Sequence, residues 1–307
     1  MEVLKIKNNK LSVLLANLAM LFCLESYEPE AIEEDLIIES EIQSNVENLK
    51  IDVPEVSGAV DNLPWAEDIN FLKAQEENGA NVLMAAFCTV FEISLPSEKH
   101  NVQLAADSLA GTVVFPGEVF SQNKILGPYT EEKGYKEGQS YIGSNITTTI
   151  GGGVCKIAST LYNTSIISDL EIIERHNHSM PVAYVPYGQD ATVAYGVKDF
   201  KFKNNKDYPI LIWAKAIDNR LYIGFYGKEK APEVQWNHKI SNVVEAPKYY
   251  KKNPELKIGE EKVILEGMNG ALVESWITIK DREGNIKTKN LGTSYYMPMP
   301  YIIEINQ

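Results

Sequence analysis

From residue 154 onward, apolar positions recur with a helical period. Val154, Ile157, Ala158, Leu161, Tyr162 and Ser165 fall at i, i+3, i+4, i+7, i+8 and i+11, which predicts a helix running to about Asp169. Residues 127–153, rich in glycine, threonine and serine, predict a long loop ending in Gly151, Gly152 and Gly153. Further upstream, the apolar run from Val82 to Phe91 predicts a strand over 82–93. Asn101 reads as the N-cap of a short helix that Gly111 stops after Ala110. Downstream, 171–174 is strand-like and 175–179 is a loop. Short strands are expected near 182–185 and 191–195, around a turn at Pro186, Tyr187 and Gly188. Residues 210–216 and 221–226 pair as a hairpin across Asp218 and Asn219.

Two flanking regions break this pattern. After a polar connection through Pro247 and Pro254, residues 262–265, 271–280 and 293–305 read as strands of a small all-β module over 240–307. At the other end, Lys5, Lys7 and Lys10 precede an apolar run over 11–24, short of the ~20 residues of a spanning helix and suited to a signal-peptide core. Residues 1–24 are therefore expected to be a signal peptide or membrane anchor, with cleaved secretion and an uncleaved anchor both open. Residues 25–78, acidic and carrying Pro29, Pro54 and Pro64, are expected to be a disordered linker.

The formal net charge of −13 resides mostly in that linker. Between Glu25 and Asp61, twelve acidic residues stand against the single Lys50. The folded body is only mildly acidic, which argues against a nucleic-acid partner. Three cysteines, Cys23, Cys88 and Cys155, make no disulfide framework. Cys23 falls in the signal segment and Cys88 in an apolar run where a small buried hydrophobe is the ordinary explanation.

Cys155 stands apart because it opens a predicted helix. The unpaired N–H groups and dipole of a helix start favour a thiolate. Gly151, Gly152 and Gly153 would let the backbone approach a substrate, and with Lys156 they make an expected oxyanion or substrate loop. His176 and His178 follow at a strand end, and Asp190 comes later. A Cys nucleophile, a His base and an Asp orienter in that order match transglutaminase-like and papain-type acyl transferases and hydrolases. Arg175 is expected either to pair with Glu174 or Asp190 or to hold a carboxylate ligand, and Ser159 is a further binding candidate. The same residues admit two plainer readings. Cys155 could be a small residue packed under a turn beside hydrogen-bonding histidines. Alternatively Cys155, His176, His178 and Asp190 could form a zinc set, although the Cys-x-x-Cys spacing of structural zinc is absent.

At these residues the sequence resembles the VanW family, named for an accessory protein of vancomycin-resistance clusters. The resemblance rests on blocks over 101–106, 113–121, 126–130, 151–155, 159–163, 170–179, 181–186 and 190–193, which together cover about 82–227. Two positions depart from the family pattern. Lys156 stands where the family has Gln after the Cys, and Gln189 where it has Arg before the Asp. The C-terminal module is similar to the glycine-bearing β module often appended in the family, which implies binding of cell-wall sugars.

The expected fold class is α+β. It comprises a mixed α/β VanW-type domain over 79–230, with a nucleophile-type Cys at a helix N-terminus, and then the small all-β module. The resemblance implies an extracytoplasmic protein of the bacterial cell envelope, secreted or membrane-anchored. It would act on or bind peptidoglycan or its peptide stems, by Cys-dependent acyl transfer or hydrolysis or by binding alone. No cofactor is expected.

Overall fold

The computed structural model describes residues 53–92, 95–142 and 145–306. The expected signal segment and the part of the linker before residue 53 lie outside them. A five-stranded antiparallel sheet lies beneath the Cys155 helix, in the order β1 (Gly58–Ala59), β2 (Val82–Val90), β10 (Arg220–Gly227), β9 (Ile210–Ile217) and β3 (Thr112–Val114). The hairpin expected at 210–226 is β9–β10. Helix α4 (Cys155–Ile167) packs on β2 and β10. Its Ile157, Leu161 and Ile166 are fully buried, each contributing roughly 1.5–3 kcal/mol.

Helix α4 is enclosed on nearly every side, so its polar residues are buried too; several find partners, while Ser165 Oγ and Asn163 Oδ1 have none. Thr160 Oγ1 lies 2.7 Å from Thr89 Oγ1 on β2, and Asn163 Nδ2 donates to the Ser159 and Gln189 carbonyls, both at 2.8 Å. Unbonded, such groups would cost about 1–3 kcal/mol each.

Several expectations are corrected. Residues 53–78 belong to the folded body. Trp65 is buried and its Nε1 donates to Tyr226 Oη at 2.9 Å. Helix α1 (Ile69–Asn78) is capped by the Asp68 side chain and stopped by Gly79 at φ 59°. Two aromatic anchors, Trp65 and Phe71, outweigh an acidic composition. Helix α2 (Pro96–Leu109) begins before Asn101, since proline fits a first helical turn. Asn101 is instead buried, holding the backbone of Lys136 and the Gly152 carbonyl.

The expected loop before Cys155 contains a short helix, α3 (Gln122–Leu126, begun before the loop), a 3-10 turn (Glu131–Lys133) and a hairpin. The hairpin pairs β5 (Glu137–Ile142) with β6 (Asn145–Ile150). β-branched residues in 145–150 favour extended backbone, which the glycine and threonine count concealed. The strands expected near 182–185 and 191–195 are irregular segments, with a single bridge between Ala194 and Lys198. Side chains satisfy their backbone instead, among them Ser159 Oγ, which accepts from Ala191 N–H at 2.9 Å. A small sheet, β4 (Val119–Ser121), β8 (Lys201–Lys203) and β7 (Glu171–Glu174), completes this part.

The C-terminal region holds two three-stranded sheets. One is β11 (Glu233–Val244), β14 (Gly270–Lys280) and β15 (Ile286–Tyr296). The other is β12 (Lys248–Lys252), β16 (Tyr301–Ile305) and β13 (Glu261–Leu265). The expected polar connection thus contains strand residues, and the strand expected over 293–305 is two. Ile277 and Ile279 of β14 share an apolar cluster with Phe200, Phe202 and Leu161. Among the described residues no helix is long and apolar enough to cross a membrane.

Candidate active site

Cys155 is the first residue of α4, and the turn ahead of it is fixed by close packing. Gly151 and Gly153 have φ of 79° and 101°, which favours glycine. A Cβ on Gly152 would meet the Gly138 backbone at 2.2 Å, and one on Gly153 would meet Glu98 Cγ at 2.7 Å. Gly152 and Gly153 therefore bring the chain against β5 and α2, and Gly151 packs on Tyr129. The Gly151 and Gly152 N–H groups are occupied by the Lys136 and Thr149 carbonyls at 3.0 Å, which corrects their expected oxyanion role. Among the described residues, the N–H groups of Gly153 and Cys155 make no backbone hydrogen bond.

Lys156 also departs from expectation. It is buried and ion-paired with Glu98, and its ammonium lies 5.0 Å from the Phe91 ring centroid and 5.3 Å from that of Tyr184. A lysine with those partners is a packing element of α4 and α2 and does not belong to a substrate loop.

Cys155, His178 and Asp190 come together. Asp190 is 1% exposed, and its Oδ2 accepts from the His178 amide and from His178 Nδ1, both at 2.7 Å. That leaves the Nε2 side of the ring free of Asp190, and imidazole and thiol are near enough for each to shift the other's pKa. Cys155 Sγ also lies 3.3 Å from Thr192 Oγ1 and 3.8 Å from the Val193 carbonyl oxygen. The thiol keeps some surface access yet is ringed closely enough by protein atoms to be desolvated. Burial works against the thiolate, but the hydrogen bond and positive charge of His178 outweigh it, with help from Thr192 and the Val193 backbone, and bring the pKa down to about 7. Burial likewise works against imidazolium. Asp190 and the thiolate outweigh it and raise His178 to about 9. Asp190 is held below the usual carboxylate range despite burial, by His178 and Arg175. Both shifts run the same way and favour a thiolate facing an imidazolium.

The other expected residues separate. His176 Nε2 pairs with Glu174 Oε1 at 3.1 Å, so the four zinc donors are not gathered. No group of three or more His, Cys, Asp or Glu residues among the described ones is arranged to hold a metal. Arg175 binds the Asp190 carbonyl through Nε at 2.8 Å and Oδ1 through Nη2 at 3.1 Å, a structural use of its fork. Ser159 Oγ donates to the Ala191 carbonyl at 3.1 Å, fixing the Asp190 segment to α4.

His178 and Thr192, the latter beside the thiol, line a small cleft of about 90 Å³ with Ser179, Met180, Pro181, Val182 and Lys198. That is well below the roughly 300–1,000 Å³ of pockets that enclose small molecules. In the sequence Thr192 stands out only as part of the block over 190–193, and Tyr296, which also reaches Asp190, carries no signal. Cys88 is the contrast: fully buried on β2, its thiol is pushed up to about 11 by burial, against a hydrogen bond from Tyr222.

These features define a strand-rich mixed domain built around a Cys–His–Asp cluster at a helix start. Residues 97–226 match the family model described as VanW like protein. It is 36% identical over 164 residues to "Uncharacterized protein YoaR" of Bacillus subtilis (strain 168), covering 53% of this chain and 52% of that protein. It is 31% identical over 147 residues to "Vancomycin B-type resistance protein VanW" of Enterococcus faecalis (strain ATCC 700802 / V583), covering 46% and 52%. The chain thus spans about half the length of these curated relatives. Two solved structures align with about a quarter of it. An IgA1 protease G5 domain does so at 23% identity, covering 25% of this chain and 92% of the other, with a TM-score of 0.16. HP0197-G5 does so at 14% identity, covering 24% and 99%, with a TM-score of 0.14. At those scores the C-terminal architecture is read from its own strands.

Proposed function

We propose that this protein works at the bacterial cell envelope, where Cys155 carries out acyl transfer or hydrolysis on the peptide stems of peptidoglycan. The observation that carries the proposal is the 2.7 Å contact between Asp190 Oδ2 and His178 Nδ1, in an imidazole that shifts the pKa of the helix-start thiol Cys155 and is shifted by it. The envelope setting is supported by the match to the VanW family model and by the basic-then-apolar start of the chain. A cleft too small to enclose a small molecule suits a polymer laid across the surface.

In the proposed reaction the thiolate sulfur attacks an amide carbonyl carbon, forming a C–S bond and placing negative charge on the carbonyl oxygen. The Cys155 N–H is the candidate donor to that oxygen. As the C–N bond breaks, His178 gives its Nε2 proton to the leaving amine, and a thioester remains. Water, or a second amine, then loses a proton to His178 and attacks the thioester, releasing the acyl product and restoring the thiolate. Asp190 holds the ring throughout.

The test combines labelling with turnover. Iodoacetamide should alkylate Cys155 with a pH midpoint near 7 and leave Cys88 untouched. Mass spectrometry of purified peptidoglycan fragments should show stem cleavage or transfer that Cys155→Ser and His178→Ala abolish. Undiminished turnover by Cys155→Ser would sink the proposal. Binding of fragments by wild type without any turnover would favour a non-enzymatic peptidoglycan-binding protein.

A further inference from the structure

We propose that β15 of the C-terminal region supplies Tyr296 and Ser294 as positioning residues of the Cys155 site, making that region a structural part of the site. The proposal rests on the Cys155–His178–Asp190 reading given above. Asp190 is held at both oxygens. While Oδ2 serves His178, Oδ1 accepts from Arg175 and from the Tyr296 hydroxyl, the latter at 2.5 Å. The same hydroxyl oxygen accepts the Gly188 N–H at 2.9 Å. Ser294 lies two residues earlier on the same face of the strand. Its Oγ accepts from Arg175 Nη1 at 2.7 Å, bracing the guanidinium that binds Asp190.

The contacts extend along both loops of the site. Tyr187 Oη donates to the Asn269 carbonyl at 2.6 Å, and Gln189 Nε2 lies 3.2 Å from His238 Nε2. Residues 187 to 190 are thus each bonded to the C-terminal region. On the other loop, Asn177 Nδ2 donates to the Tyr295 carbonyl at 2.9 Å and Met297 N–H to the Ser179 carbonyl at 2.8 Å, on either side of His178. At Gly188, with φ of 83°, a Cβ would come within 2.5 Å of Ser275 Oγ, so the two surfaces meet without room for a side chain.

Tyr296 and Ser294 are both buried, and burial together with the Asp190 charge keeps the phenol protonated as a donor. A carboxylate fixed at both oxygens cannot turn, so the imidazole it holds stays aimed at the thiol. Without the Tyr296 hydroxyl the carboxylate loosens, the ring spends less time on the thiol, and the thiolate loses its partner.

The experiment uses the full chain, alkylated with iodoacetamide from about pH 5 to about pH 10, with Cys155 followed by peptide mass spectrometry. Tyr296→Phe keeps the ring and removes only the hydroxyl. Its Cys155 midpoint should rise from the wild-type value near 7 by roughly half a unit or more. Ser294→Ala should move it the same way by less. A merely structural role would lower the thermal midpoint and leave the alkylation midpoint where it was. Wild-type midpoints in both variants overturn the inference alone. A wild-type midpoint at the ordinary thiol value of about 8.5 overturns the Cys155 reading and this inference with it. If Tyr296→Phe does not fold, Ser294→Ala decides.

Discussion

At the scale of single residues, position decides what a side chain does. Lys156 follows Cys155 directly in sequence, yet the helix turns it away to pair with Glu98, whose Oε2 has no hydrogen-bond partner. A buried pair of this kind adds little net stability over an apolar filling, but an ion left alone in the same place is costly. Lys156→Met should therefore destabilise the protein by about 3–5 kcal/mol. The double change Glu98→Gln with Lys156→Met should recover much of that loss. Urea unfolding followed by circular dichroism measures both. A single substitution no worse than the double one would show that the pair is not coupled.

At the scale of elements, the Cys155 helix depends on a contact between two glycines far apart in sequence. Gly152 and Gly138 meet backbone to backbone, which lets the β5–β6 hairpin support the turn that presents Cys155. Gly152→Ala would force a methyl group into a backbone that cannot move aside, at a cost of about 1–3 kcal/mol. The expected outcome is a lower urea midpoint at unchanged slope, together with slower Cys155 alkylation as the turn shifts. Gly284, at an exposed turn where a Cβ meets nothing within 4 Å, is the control site. Its alanine variant pays only for φ of 87° and should leave Cys155 reactivity unchanged.

For the molecule as a whole, the join between the two regions contains a pH-sensitive group. His238 of β11 lies against Gln189, Ser275, the stacked Trp236 and the Arg175 charge. Burial first, and then Arg175, depress its pKa. With a folded-state pKa below the unfolded value of about 6.5, the unfolded chain takes up the proton first as pH falls. This group's contribution is therefore full above about 6.5 and declines as pH falls through the folded-state value. Thermal unfolding between about pH 7.5 and about pH 5 should show wild type losing more stability on acidification than His238→Gln. Parallel declines in the two proteins would mean that His238 is not involved.

The sequence alone determined the elements whose signals are local. The helix beginning at Cys155 follows from its 3.6-residue apolar period, and the 210–227 hairpin from two β-rich runs around Asp218 and Asn219. It also carried the family blocks from which Cys155, His178 and Asp190 could be chosen, because spacing and residue type survive without coordinates. Tertiary structure decided everything that depends on approach between distant segments. It chose His178 over His176, because the Asp190 carboxylate reaches one ring and Glu174 takes the other. It turned the three glycines from a substrate loop into a packing contact and drew residues 53–78 into the body through Trp65. It also brought Tyr296 to Asp190 across 106 positions of chain. Local periodicity records which face of an element is apolar. It holds no information on which partner's hydroxyl or carbonyl will meet that face, since this is fixed only when the sheets and loops close around a common core.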